Sequence, residues 1–154
     1  MNRVLNFAMA GLVTTMLLTT VLLTTGCNKP SVVAAEHIQP ASVEKIDGSA
    51  ISRVTLSEDA MKRLDIQTAA ITEQKSPRKD AQQKAVPYSA LIYDPQGNSW
   101  VYTSPDARVF VRAPIDVDFI QDDLVFLKDG PEAGTAVAIV GVAELYGTEF
   151  TVGH

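Results

Sequence analysis

The chain has 154 residues, a formal net charge of −5 and a single cysteine. Its acidic balance, with scattered lysines and arginines, argues against nucleic-acid binding, which depends on clusters of basic residues. One cysteine excludes an internal disulfide, and the length supports one small domain with one core.

The N-terminus has the pattern of an export signal. Arg3 precedes a stretch of uncharged residues, 4–25, which ends in Thr25-Gly26-Cys27. A basic start, an apolar stretch and small residues before a break are typical of a secretory signal. The segment resembles a bacterial lipoprotein signal, although Thr24 stands where such signals usually carry leucine. We therefore expect a signal peptide over residues 1–26, with Cys27 lipidated and first in the mature chain.

An uncleaved membrane anchor is the alternative interpretation of the same segment. Residues 4–25 carry no charge and are long enough to span a bilayer, but six threonines between Thr14 and Thr25 make the span poorly apolar. Arg3 on the near side orients either version with the domain outside the cytoplasm. Both interpretations predict a membrane-anchored protein of the cell envelope, attached in the first case through the lipid on Cys27.

Residues 27–48 are predicted to form a flexible tether, because they contain Pro30 and Pro40 and no sustained hydrophobic period. The structured domain is predicted over residues 49–154. Its first unit is a strand at 51–56, a helix N-cap at Ser57, a short helix at 60–64 and a strand at 66–71. Leu56 and Met61 have the spacing of a hydrophobic staple. Residues 73–84 are predicted to be a solvated linker.

The C-terminal half has the period of antiparallel strands. We predict strands at 86–93 and 99–103 around a turn at 94–98, and a long strand at 108–119 that is bulged or at a sheet edge near Pro114. In that long strand the odd positions from 109 to 119 are predicted to face the core, and Arg108, Arg112, Asp116 and Asp118 the solvent. Strands at 124–128 and 135–140 are predicted to form a hairpin through Gly130, Pro131 and Gly134. A helical turn at 142–146 and a last strand at 150–152 complete the domain.

Catalytic chemistry is not expected. The two histidines, His37 and His154, lie in the tether and at the C-terminus, so neither offers a base beside a nucleophile. The carboxylate pair Asp116/Asp118 is predicted to face solvent, where nothing would raise a pKa for acid catalysis. His37 stands alone and Met61 is assigned to core packing, so we predict neither a metal site nor a cofactor.

Several segments resemble one family. Residues 54–71, 86–93, 100–102 and 127–141, followed by Glu144-Leu145, are similar to the membrane-proximal domain of periplasmic adaptor subunits, or membrane fusion proteins, of resistance-nodulation-division efflux systems. The resemblance implies a small antiparallel β-barrel or β-roll with one or two short helices. It also implies docking on the outward-facing part of an inner-membrane efflux transporter.

The chain departs from that family in its middle. Family members carry further domains between the two halves of the membrane-proximal domain, whereas only residues 73–85 separate them here. Copper- and silver-exporting members use methionine ligands, and Met61 alone follows residue 26. The expectation is a free-standing accessory domain or the remnant of a lost adaptor.

The resulting functional hypothesis is a non-enzymatic, membrane-anchored accessory protein of an efflux transporter. Its candidate partner contacts are Lys128, Asp129 and Glu132, near the predicted hairpin turn. The alternative is an envelope lipoprotein that binds a small ligand in a pocket lined by Trp100 and Tyr102.

Overall fold

Two antiparallel sheets make up most of the fold in this computed structural model, which describes residues 39–151. The first sheet has the order β1-β2-β8-β7-β11-β3, with β6 also paired to β7, and the second has the order β4-β5-β10-β9. The strands are β1 (Ala41–Lys45), β2 (Ser52–Leu56), β3 (Gln67–Ala70), β4 (Thr72–Lys75), β5 (Gln82–Pro87), β6 (Ile92–Tyr93), β7 (Ser99–Asp106), β8 (Val109–Pro114), β9 (Asp116–Gln121), β10 (Leu124–Asp129) and β11 (Ala136–Val140). The prediction of a mainly β fold is confirmed. Each sheet keeps two edge strands, so the sheets do not close into a barrel, and the arrangement is a roll-like sandwich.

The two faces of the first sheet are both buried. One face packs on the second sheet through Val101, Val137, Val125 and Leu127, among other residues of one apolar cluster. The opposite face packs on the helices α1 (Glu58–Arg63) and α2 (Val142–Thr151). The fold therefore has three layers, helices on sheet on sheet, with two apolar interfaces.

Helix α1 follows the sequence prediction closely. The side-chain oxygen of Ser57 accepts a hydrogen bond from the Ala60 backbone N–H at 3.1 Å, as expected of an N-cap. Leu56 and Met61 belong to the same apolar cluster, which confirms the staple. Strand β2 lies within the predicted range 51–56.

The predicted hairpin between residues 124–128 and 135–140 is wrong. Strand β10 lies in the second sheet and β11 in the first, so the intervening loop crosses between sheets. The crossing lies beside Ile71, where the chain passes the other way from β3 to β4. The Ile71 N–H donates to Thr135 O at 2.9 Å, and the Gly134 N–H donates to Ile71 O at 2.8 Å. Local turn chemistry predicts that a chain bends, but it does not identify the strand with which the returning segment pairs.

The long strand predicted over residues 108–119 is divided in the same way. It ends in the first sheet at Pro114 and resumes in the second sheet at Asp116. Between them the N–H of Ile115 donates to Ser99 O at 3.0 Å, and the Ile115 side chain joins the core between the sheets. Pro114 has no N–H to donate, so it lies where the strand leaves its ladder.

Three further predictions about local structure are corrected. Residues 41–45, expected in the tether, form β1 on the edge of the first sheet, and the expected linker 73–84 belongs to the hairpin β4–β5. The predicted strand at 86–93 contains a 3₁₀ helix at Tyr88–Ala90, so only β6 pairs with β7. Helix α2 continues through Gly147 to Thr151, which replaces the strand predicted at 150–152 up to the last described residue.

The start of α2 depends on Gly141, which has a φ of 78° between β11 and the helix. A β-carbon at this position would lie 2.0 Å from Cδ1 of Ile66. We expect Gly141→Ala to lower the free energy of unfolding by about 1–3 kcal/mol, because the left-handed backbone is unfavourable for alanine and Ile66 must move.

Gly147→Ala is the matched control, since Gly147 lies inside the same helix with open space around it. We expect this variant to unfold at an equal or higher urea concentration, because alanine favours a helix interior by up to about 1 kcal/mol over glycine. Equal stability of the two variants in urea unfolding would contradict the role given to Gly141.

Candidate functional site

Helix α2 presents two adjacent stripes of side chains. Val142, Leu145 and Glu149 recur at helical spacing and are all buried against the first sheet. Ala143, Tyr146 and Phe150 are each displaced by one position and form the neighbouring stripe. The first stripe fixes the helix on the sheet, and Ala143 and Tyr146 of the second line an open cleft.

The buried stripe ends in a charge. Glu149 is 7% exposed, and its carboxylate accepts hydrogen bonds from Arg112 of β8, from Nε at 3.1 Å and from an Nη at 3.4 Å. Arg112 is itself 6% exposed. Because the two nitrogens donate to different oxygens of the carboxylate, the pair is bidentate, as guanidinium and carboxylate groups favour.

Two further groups complete the hydrogen bonding of this carboxylate. The Tyr102 hydroxyl of β7 donates to Oε2 of Glu149, and the backbone N–H of Ser52 of β2 donates to Oε1 at 3.3 Å. Burial, together with the hydrogen bond to the Glu149 carboxylate, raises the pKa of Tyr102. The hydroxyl therefore remains a donor throughout the physiological range. Three strands thus converge on one carboxylate of α2.

Arg112 also stacks on aromatic rings. Its guanidinium carbon lies 4.2 Å from the centroid of the Trp100 ring and 5.1 Å from that of Phe150. The prediction that Arg112 faces solvent is therefore wrong, because α2 covers this side of β8, where the fully buried Phe110 also lies. The alternation of 108–119 assigned the odd positions to the core and Arg112 to the solvent. Only the helical spacing of 142, 145 and 149 indicates an acid buried opposite the arginine.

The hypothetical ligand pocket lined by Trp100 and Tyr102 is not formed. Tyr102 is fully buried with its hydroxyl bonded to Glu149, and Trp100 lies beneath the Arg112 guanidinium. The predicted turn at 94–98, in contrast, is confirmed, and it fixes the indole. The Asp94 carboxylate accepts from Trp100 Nε1 at 3.0 Å, from the Asn98 side chain at 2.8 Å and from the backbone N–H groups of Gln96 and Asn98.

An open cleft with a volume of about 440 Å³ lies beside α2. Its walls come from the 3₁₀ helix, from β6 and from the second stripe of α2. The lining residues are Tyr88, Ser89, Leu91, Ile92, Tyr93, Ala143 and Tyr146. Tyr88 and Tyr93 are 53% and 54% exposed, and the Tyr146 ring packs at 4.7 Å on Phe150, which is 47% exposed. We call this surface, including Phe150, the tyrosine cleft.

The residues predicted to contact a partner lie elsewhere. Lys128, Asp129 and Glu132 are all exposed at the far end of β10, in and before the loop that crosses between the sheets. Lys128 Nζ lies 3.5 Å from Asp116 Oδ1, and both side chains are more than half exposed, so the pair contributes little to stability. Asp129 accepts from the Gly130 N–H at 2.9 Å.

Asp118, in contrast, lies beside Lys79 and Gln83, whose hydrogen bonds lower its pKa.

Other residues of the sequence analysis lie outside the described range. These are Cys27, His37 and His154. Between residues 39 and 151 there is no group of three or more His, Cys, Asp or Glu side chains that could hold a metal ion. In the same range, neither helix is long and apolar enough to cross a membrane. Met61 packs in the cluster between α1 and the first sheet, as predicted.

Comparison with known proteins gives no match to a family model, to a curated protein or to a solved structure.

Breaking the buried pair tests its role. We expect Glu149→Leu to lower the free energy of unfolding by about 3–5 kcal/mol, because it leaves the Arg112 guanidinium buried without its carboxylate. Glu144→Gln, on the exposed side of the same helix, is the control and is expected to change stability by about 0.5 kcal/mol or less.

A double variant separates the pair from the rest of the packing. Arg112→Met combined with Glu149→Leu is expected to cost less than the sum of the single changes, by about 0.5–3 kcal/mol, because no uncompensated charge remains. The free energy of unfolding is measured by urea unfolding of the full chain in non-ionic detergent, for the parent, the two single variants and the double variant. Strictly additive losses would contradict a direct interaction between the two side chains.

The Asp94 turn predicts a dependence of stability on acid. Partial burial acts to raise the pKa of Asp94, but hydrogen bonds from Asn98, Trp100 and Gln96 outweigh it and lower the pKa from 3.8 to about 2. Since the folded pKa lies below the unfolded one, this contribution is complete above pH 4 and is lost as the pH falls towards 2. Asp94→Asn should remove the part of the acid sensitivity that comes from Asp94. The pKa of Asp118 is also lowered, and Asp118 still titrates in the parent and in the variant.

The measurement is the urea midpoint of the parent and of Asp94→Asn at several pH values between 2 and 6. We expect the difference between their midpoints to shrink as the pH falls from 4 to 2. A difference that stays constant would show that the Asp94 carboxylate does not titrate with a lowered pKa.

Proposed function

We propose that this chain is a non-enzymatic, membrane-tethered accessory protein that associates with an efflux transporter of the cell envelope. The observation that carries the binding role is the tyrosine cleft. Large exposed apolar side chains gathered on one face mark interaction surfaces of otherwise polar proteins. The cleft is held on rigid elements, because α2 is attached to the sheet by a buried ion pair.

The partner class comes from the sequence. The resemblance to the membrane-proximal domain of efflux adaptors supports a transporter as partner, and the export signal with Cys27 supports a location on the outer side of a membrane. The domain as it stands would act by docking alone, as an accessory subunit or as the remnant of a lost adaptor. On this proposal Lys128, Asp129 and Glu132 form a second, polar contact at the opposite end of β10.

A small-ligand-binding lipoprotein is the second candidate. The volume of the tyrosine cleft, about 440 Å³, falls within the range of sites that hold drug-sized molecules. Its lining of tyrosine, leucine and isoleucine is also typical of such sites. The wide opening to solvent favours a protein segment over a small molecule, because enclosed clefts bury most of a small ligand.

The test is cross-linking in intact cells. The full chain carries a C-terminal tag, membranes are solubilised after cross-linking, and partners are identified by mass spectrometry. We expect one efflux transporter in near-stoichiometric amount. A control that keeps residues 1–38 and the tag, and so lacks every described strand, should lose it. Recovery of abundant envelope proteins alone, equally from both versions, would contradict the accessory role.

A further inference from the structure

The exposed apolar surface of the described domain is concentrated at the tyrosine cleft. Four large apolar side chains are strongly exposed between residues 39 and 151, and three of them, Tyr88, Tyr93 and Phe150, belong to this surface. The fourth, Ile120, lies on the edge strand β9. The concentration of rings from three separate elements indicates a surface used for binding.

The charges around the cleft have one sign. The segments that line and border it, 86–95, 121–124 and 142–150, contain no lysine or arginine. They contain Asp94 directly after Tyr93, Glu144 directly after Ala143, and Asp122-Asp123 in the turn before β10. That turn adjoins Tyr88 of the cleft, whose N–H donates to Asp123 O at 2.8 Å.

The nearby arginine does not offset these acids. Four hydrogen bonds in its turn keep the pKa of Asp94 near 2. Arg112 approaches the surface beneath Phe150, but it is 6% exposed and its charge is paired with Glu149. A ligand in the cleft therefore meets exposed tyrosine rings surrounded by negative charge.

We propose that the tyrosine cleft binds a basic segment of a partner protein, with lysine or arginine side chains lying across the tyrosine rings. Cations are attracted to the faces of aromatic rings, and their aliphatic stems bury apolar surface on the same rings. The bordering carboxylates add complementary charge, which raises the association rate and selects against acidic partners. The assignment rests on the proposed function in that the segment belongs to an envelope protein.

The charge pattern disfavours anionic occupants, and salt dependence distinguishes a basic segment from an apolar one. An anionic lipid surface or an acidic segment would be repelled by four carboxylates at the border of the cleft. A purely apolar segment would use the rings but not the carboxylates, so its binding would not depend on salt. A basic segment uses both features.

The experiment measures peptide binding to the full chain in non-ionic detergent at 50 mM NaCl by fluorescence anisotropy. The probe is a synthetic nonapeptide that alternates arginine with leucine, and its matched control alternates glutamate with leucine. We expect only the arginine peptide to bind. Tyr88→Ala and Tyr93→Ala should each weaken it about two- to fivefold, the range of exposed cation–π contacts. Because both side chains are half exposed, neither change should alter the unfolding midpoint much.

Charge variants test the carboxylates separately. Asp122→Asn with Asp123→Asn should weaken binding at 50 mM NaCl and have little effect at 500 mM, where exposed charges are screened. Asparagine tolerates the positive φ of 54° at position 122, so the turn is kept. Asp80→Asn with Asp106→Asn is the matched control, since both are exposed and far from the cleft, Asp80 before the start of β5 and Asp106 at the end of β7. This control should bind like the parent.

Three results would overturn the assignment. The first is that the glutamate peptide binds as well as the arginine peptide. The second is that the tyrosine variants bind the arginine peptide as well as the parent does. The third is that the small organic cation tetraphenylphosphonium binds and neither peptide does. If no transporter is cross-linked but the arginine peptide still binds, the proposed efflux partner is wrong and the assignment of the cleft stands.

Discussion

The ion pair between Glu149 and Arg112 is the interaction on which the position of α2 depends. Two charges removed from water are stable only when every remaining donor and acceptor is satisfied. Here the Tyr102 hydroxyl and the Ser52 N–H complete the Glu149 carboxylate, and Trp100 stacks on the guanidinium. Apolar contacts between α2 and the sheet are non-directional and would by themselves allow the helix to slide. The buried pair gives the helix one position, and with it the orientation of Tyr146 and Phe150.

The tyrosine cleft follows from that position. Gly141 turns the chain from β11 into α2. Because one stripe of the helix is buried on the sheet, the neighbouring stripe faces the 3₁₀ helix and β6. On the other wall, Asp94 closes a turn that holds β6 against β7. The proposed binding surface and the buried ion pair thus use different stripes of α2, so we expect substitutions at the exposed Tyr88 and Tyr93 to change binding without unfolding the domain.

Sequence reasoning recovered what is local. The Ser57 cap, the staple of Leu56 and Met61, strand β2 and the turn at 94–98 depend on residues within a few positions of one another, and all were predicted. The pairing of strands was not, because β10 and β11 are joined by a loop that looks like a hairpin turn yet crosses between sheets. The helical turn was predicted to stop at residue 146, before Gly147, and a helix that short does not include the spacing that buries Glu149.

The tyrosine cleft was missed for the same reason. Tyr146 is far in sequence from Tyr88 and Tyr93, and the three meet only through the 3₁₀ helix, the short β6 and the extended α2. The polar loop at Lys128 to Glu132 was chosen instead because loops on a rigid scaffold are common sites of binding. The three-layer fold places that loop and the cleft at opposite ends of β10, so one measurement can tell them apart.

That measurement is site-specific photo-cross-linking in cells, with the benzophenone amino acid p-benzoylphenylalanine placed at position 93 in the cleft, at position 132 in the loop, or at position 80 as a control. The account predicts a single strong adduct with one membrane protein from position 93 and none from position 80. Equal adducts from positions 93 and 80, or an adduct from position 132 alone, would contradict the tyrosine cleft as the surface that binds the partner.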